Sequence, residues 1–177
     1  MTKKTLQQIL GYLIGGSLVL LVIPFAFFSL SRAIDPRIGI ALIPDDNLRI
    51  VVAVALLILG IPFAISSLVV QNAIGKGGPL EAMNIEISPK TQHLVVTGPY
   101  RFTRNPMLFG AVAIYFAFAV FLNSPTALLA VVLFMVFMLV FVKLTEEKRL
   151  LKDFGREYED YRKRVAMFVP WPPRRKA

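Results

Sequence analysis

The sequence predicts an all-α, polytopic integral membrane protein: four to five transmembrane helices followed by a C-terminal amphipathic helix. Two observations carry this. The composition is apolar beyond the soluble range, with 56% hydrophobic and 18% charged residues and a mean hydropathy of +0.65 over 177 residues, against about 45–50% and about 25% in soluble domains. The charges are also absent from three long runs, residues 5–31, 50–70 and 105–142, of 27, 21 and 38 residues. A helix crossing about 30 Å of hydrocarbon needs about 20 apolar residues.

The first run is one span. It is too long, and lacks the small-residue cleavage pattern, for a cleaved signal peptide, so a retained helix is expected. The second run, rich in Ile, Leu, Val and Ala, is another. The third is interrupted at Asn123-Ser124-Pro125. Proline cannot continue a helical hydrogen-bond ladder and disfavours helix at the preceding residue. It therefore reads as a helical hairpin with arms of about 17 residues each. Four spans result, and any fifth would have to be short and lie within residues 34–45 or after Arg164.

Lys and Arg number two at the N-terminus, three in residues 32–49, four in 71–104, none at the hairpin tip and eleven from Lys143 onward. Four spans put 17 of these on one side and three on the other, so both termini are expected in the cytoplasm. The net charge of +9 is then explained by topology and by contact with anionic head groups of membrane lipids. No soluble basic module with stacking aromatics is present, so nucleic acid is not an expected partner. With no Cys and one His, disulfides, iron–sulfur clusters, a Cys nucleophile and multi-His metal sites are excluded. No feature of the sequence specifies an oligomeric state.

Unusual residues concentrate after position 70. This divides the chain into N-terminal membrane helices, 1–74, and a catalytic and cofactor-binding part, 75–177, that contains the hairpin. Gly75-Lys76-Gly77-Gly78-Pro79 is either a linker or a place where backbone N–H groups approach a ligand. His93-Leu94-Val95-Val96 is a short β-prone run ended by Gly98-Pro99. Tyr100-Arg101-Phe102-Thr103-Arg104-Asn105-Pro106 leads into the third apolar run. Pro106 suits the first turn of a helix, and Asn105 is expected to cap it. An arginine at that positive helix end makes a site for a carboxylate or phosphate. After the fourth span, helical spacing sets Glu147, Leu150 or Leu151, Phe154, Tyr158, Tyr161 and Val165 on one stripe, lying on the bilayer or packing on the 71–104 loop. Acidic groups such as Glu146 and Glu147 at a bilayer edge usually face a partner or a cavity. Lys148 and Arg149 are their natural partners.

The ordered set Thr97-Gly98-Pro99-Tyr100-Arg101-Phe102-Thr103-Arg104-Asn105-Pro106-Met107, a hairpin, Glu146-Glu147, Phe154-Gly155, Tyr158, Tyr161, Val165 and Pro170 resembles the isoprenylcysteine carboxyl methyltransferases. It resembles more broadly their membrane relatives, which include phospholipid methyltransferases. The match spans about residues 75–171. Asn105 stands where the eukaryotic pattern has His, Leu108 where it has Tyr, and Gly78 where the loop motif has Thr. The Asn form is similar to prokaryotic members.

The resemblance implies a membrane enzyme using S-adenosylmethionine without a Rossmann fold, in keeping with the lack of a G-x-G-x-x-G motif. It implies a cofactor side formed by His93, Leu94, Val95, Val96, Tyr100, Asn105, Pro106, Met107, Leu108 and Glu146. Arg104 is the implied catalytic and substrate-binding residue, and Lys143 a further substrate contact. The implied reaction methylates the C-terminal carboxylate of a prenylated cysteine, in the cell membrane of a prokaryote or the endoplasmic reticulum of a eukaryote. A terminal carboxylate titrates at about 3.3–3.7 and needs no general base. Positioning and exclusion of water then supply the rate. Phe109, Phe116 and Phe118 are candidate liners of a path for the prenyl tail. Two other readings stay open: the same machinery methylating a phospholipid amine or small thiol, and a non-enzymatic membrane scaffold.

Overall fold

The computed structural model describes residues 3–75 and 91–173. They form an all-helical membrane protein. Helix α1 (Lys3–Ser17) runs through a π-helical turn, Leu18–Val22, into α2 (Ile23–Ile38). Gly39 ends α2 in the left-handed region at φ 66°, where glycine carries no Cβ penalty. Helix α3 (Asp46–Val70) starts on Asp45, whose carboxylate accepts the Leu48 N–H at 2.6 Å, and it too ends in a π turn, Gln71–Gly75. A 3₁₀ turn, Gly98–Arg101, precedes α4 (Pro106–Phe121), α5 (Pro125–Leu144) and α6 (Glu146–Arg164).

The four expected apolar helical passes are present. Three are long enough to cross a bilayer, whereas α4, with 16 residues, is shorter. No such fifth span is found among the described residues. Positions 34–38 simply prolong α2, and 39–45 and 165–173 are non-helical. The β-prone run at 93–96 forms no strand either. It has no strand beside it, and Leu94 packs on the tyrosines of α6 instead. Most of the Gly-rich motif, 76–79, lies outside the described residues.

The hairpin turns where the sequence places it. Asn123 adopts φ 55°, a conformation its short amide tolerates. Ser124 caps α5 by accepting the Ala127 N–H at 2.8 Å, and Pro125 takes the first turn. The tip is clasped to the α2–α3 connection: the Asn123 side chain accepts the Ile43 N–H at 2.9 Å and donates to its carbonyl at 3.2 Å.

The core lies between α2, α4 and α5, where Phe27, Val112, Tyr115, Ala119, Ala127 and Val131 are buried. The Tyr115 hydroxyl donates to the Val19 carbonyl at 2.7 Å, satisfying an oxygen of the π turn inside the membrane. Outward, Leu20, Phe25, Ile58, Leu129 and Phe137 are all 60% or more exposed, the inside-out pattern of a lipid-facing surface. Helices α3 and α4 cross at two glycines. A Cβ on Gly110 would sit 2.5 Å from the Ala64 nitrogen and 2.7 Å from the Gly60 carbonyl oxygen, and one on Gly60 would meet the Gly110 carbonyl oxygen at 2.9 Å. Small residues let membrane helices approach backbone to backbone.

Candidate functional site

Four segments converge at the start of α4: the 91–104 stretch, the first turn of α4, helix α6 and the chain that follows α6. A kink at Gly155 (φ 51°) divides α6, yet the stripe read from the sequence is its packed face. Glu147, Tyr158, Tyr161 and Val165 are buried, with Leu94, Leu150, Leu151 and Phe154 around them. Of the two placements expected for this helix, packing on the loop is the one observed. The Tyr161 hydroxyl donates to the Tyr100 carbonyl at 2.6 Å.

The chain after α6 forms a strap over the 102–105 segment. Thr103 and Ala166 make a parallel β-bridge. The Arg104 N–H donates to the Ala166 carbonyl at 2.9 Å and the Trp171 N–H to the Phe102 carbonyl at 2.9 Å. Asn105 was expected to cap α4. Its side chain makes no cap bond and donates instead to the Met167 carbonyl at 2.8 Å. The strap offers that carbonyl to the amide, and Pro106 at the first helical position leaves one fewer free N–H at the helix start. Phe109 stacks edge-on with Phe63 of α3 and Phe168 of the strap, at centroid distances of 5.0 and 5.7 Å, and so borders the site. Phe116 and Phe118 pack on the membrane core.

Arg104 is the centre of the cluster. Its Nη1 lies 2.5 Å from Glu147 Oε1, with both side chains about nine-tenths buried, and it donates to the Tyr158 hydroxyl at 3.4 Å. The approach to Glu147 is an ion pair and not an aligned hydrogen bond: Glu147 Oε1 accepts none, and Arg104 Nε donates none. Glu147 thus pairs with Arg104, which is remote in sequence. One wall of a cavity of about 380 Å³ is Arg104, and residues 162–167, Trp171 and Pro172 line the rest. Lys143 is exposed at the end of α5 and does not line it.

Of the expected cofactor residues, Tyr100 and the turn that carries it lie against the end of α3. Gly98, at φ 59°, is where the 3₁₀ turn comes against α3: a Cβ there would be 3.1 Å from a Val70 methyl. The Tyr100 hydroxyl donates to Gln71 Oε1 at 2.7 Å. Burial first, and then the Glu146 carboxylate, hold that phenol far above its usual range, so it keeps its proton. Val95 is buried, whereas His93 and Val96 are exposed. Among the described residues, no main-chain hydrogen bond joins His93, Leu94, Val95 or Val96 to another backbone group. Met107 is half-buried, and Leu108 packs on the membrane core. Gln71 was missed by the sequence reading because it ends an otherwise plain apolar helix. Nothing local marks it.

The profile of the phospholipid methyltransferase family matches residues 48–157, from the first turn of α3 into α6. The methanethiol S-methyltransferase of Mycobacterium tuberculosis is 34% identical over 79 residues, 42% of this chain and 30% of that protein. Methanethiol S-methyltransferase 1 of Bradyrhizobium diazoefficiens is 32% identical over 72 residues, 41% of this chain and 24% of that protein. These matches therefore span less than a third of either relative. No solved structure matches the chain. The family profile covers more than half of the sequence and includes Tyr100, Arg104, Glu146 and Glu147; the chain belongs to the phospholipid methyltransferase family.

Proposed function

We propose that the protein is an integral membrane, S-adenosylmethionine-dependent methyltransferase whose acceptor reacts as an anion. The observation that carries this is the basic cavity at the start of α4, where a buried arginine leaves Nε without a partner. Both termini, the cavity and α6 are assigned to the cytoplasmic side on the 17-to-3 division of Lys and Arg. Residues 75–177 carry the reacting groups and 1–74 support them.

The residues on the α3 side fit the cofactor. The unladdered backbone of His93–Val96 offers donors and acceptors to a nucleobase edge, and the Glu146 carboxylate and Tyr100 suit hydroxyl and cationic groups. When bound, the cofactor supplies an electrophilic methyl group on a sulfonium. The protein must then hold the nucleophile in line and keep water out. The aromatic trio Phe63, Phe109 and Phe168 ties α3, α4 and the strap together beside the site.

A small thiol is the acceptor we place first, because both relatives are named as methanethiol S-methyltransferases. The cavity supplies what that chemistry needs. A thiolate is the reactive form, and nearby arginines and lysines lower a thiol's pKa, so the proton leaves to solvent before methyl transfer and no dedicated general base is required. The carboxylate of an isoprenylcysteine is the second reading. A planar guanidinium at position 104 favours it, since its fork matches a carboxylate.

One assay separates them. Detergent-purified protein is given methyl-labelled S-adenosylmethionine with methanethiol, with N-acetyl-S-farnesylcysteine or with phospholipid. Label in a volatile thioether is expected, with kcat/KM rising about tenfold per pH unit below the thiol's pKa, about 8.5 for a cysteine-like thiol. Base-labile label released as methanol, with a rate flat above pH 6, would move the assignment to the carboxylate. Label retained in the lipid would move it to an amine. No transfer to any acceptor by folded protein would overturn the anionic-acceptor reading.

A further inference from the structure

Gln71 belongs to no recognised motif, yet it holds the Tyr100 hydroxyl. It lies in the π turn that ends α3. Such a turn widens the helix by one residue and re-aims its side chains. Gln71 Oε1 lies 2.7 Å from the Tyr100 hydroxyl. A carbonyl oxygen only accepts, so the phenol proton points at Gln71 and the remaining lone pairs of Tyr100 Oη point elsewhere. Tyr100 is fixed from its other end as well, because its carbonyl accepts the Tyr161 hydroxyl at 2.6 Å. The Glu146 carboxylate is close enough to act on the phenol electrostatically.

We infer that Gln71 is a positioning residue that turns the Tyr100 oxygen into a dedicated acceptor, which with Glu146 recognises the positive charge of the cofactor. The inference rests on the S-adenosylmethionine reading and deepens it. The substrate form of that cofactor carries a sulfonium cation and the product form a neutral thioether. A phenol free to rotate could donate or accept, and would serve both forms alike. Anchoring its proton removes the choice. The consequence is selectivity for the charged form, so that the neutral product is released in preference to the incoming cofactor.

The test is equilibrium binding, read without any acceptor present. Affinities for S-adenosylmethionine and S-adenosylhomocysteine are measured on detergent-solubilised full-length protein by calorimetry, for wild type, Tyr100→Phe, Gln71→Leu and Gln71→Glu. A sulfonium carries no N–H or O–H, so what is lost is the electrostatic attraction between the phenol lone pair and the cation, worth about tenfold in affinity at a partly buried site. Tyr100→Phe and Gln71→Leu are expected to weaken S-adenosylmethionine by about that factor and S-adenosylhomocysteine by less than about threefold. Gln71→Glu is expected to keep the wild-type preference, since a carboxylate accepts the phenol proton as the amide oxygen does.

Equal weakening of both ligands in Tyr100→Phe and Gln71→Leu would show a merely structural role and overturn the inference, while leaving the cofactor assignment in place. Loss of the preference in Gln71→Glu would mean that Gln71 donates to the phenol, and overturns it too. Folded wild-type protein that binds neither ligand would remove the cofactor reading and this inference together.

Discussion

Glu147→Leu is expected to be among the most damaging single substitutions in the chain. Its carboxylate neutralises Arg104 in a place where both side chains are about nine-tenths withdrawn from solvent. Removing one member of a buried pair leaves an uncompensated charge, which typically costs about 3–5 kcal/mol. Chemical unfolding in detergent should show that loss directly. The informative partner is Arg104→Met combined with Glu147→Leu. With both charges gone, the site becomes an apolar contact and much of the stability should return. Methyl transfer should not return, because the guanidinium that faces the cavity is gone with it. If the double variant recovered activity, Arg104 would be a strut and not part of the acceptor site.

The second large effect is expected at Gly110. Alanine there needs a methyl group 2.5 Å from the Ala64 nitrogen and 2.7 Å from the Gly60 carbonyl oxygen. Both neighbours are backbone, and backbone cannot rotate out of the way. Helices α3 and α4 must separate, which for overpacking costs about 1–3 kcal/mol. The displacement should reach further than the crossing itself. Val70 rests against Gly98, and Gln71 holds Tyr100, so the cofactor side is carried by the end of α3. We therefore expect Gly110→Ala to lower both the thermal midpoint and cofactor affinity. Gly16→Ala supplies the control, because a Cβ at Gly16 meets nothing within 4 Å. That change should be neutral or slightly stabilising. Equal behaviour of the two alanine variants would refute the close-crossing account.

Much of this architecture was legible because lipid imposes a simple rule. Backbone groups must be satisfied within each span, so uncharged runs and the Asn123-Ser124-Pro125 interruption marked the helices and the hairpin. The stripe from Glu147 to Val165 was legible too, since its spacing is that of a helix face. What escaped was long-range pairing. Glu147 pairs with Arg104, which is remote in sequence, and Asn105 left its cap for a carbonyl 62 positions away. Neither choice has a local signature, because each depends on where the strap and α6 return. The β-prone residues 93–96 form no strand for a related reason: propensity creates a strand only where another backbone lies alongside.

The brevity of α4 has a consequence for how the acceptor arrives. At about 1.5 Å per residue, its 16 residues cover roughly 24 Å, against about 30 Å for the 20 residues of α5 and for the hydrocarbon itself. The two helices share the turn at Asn123, so the deficit of about 6 Å falls at the opposite end of α4, beside Arg104. A span that falls short draws the bilayer surface down to meet it. Thinning of that kind is expected to set the Arg104 end of α4 at the depth where head groups give way to acyl chains. A solute that partitions into lipid, whether a volatile thiol or a prenyl tail, reaches that depth by lateral diffusion and never has to cross open water.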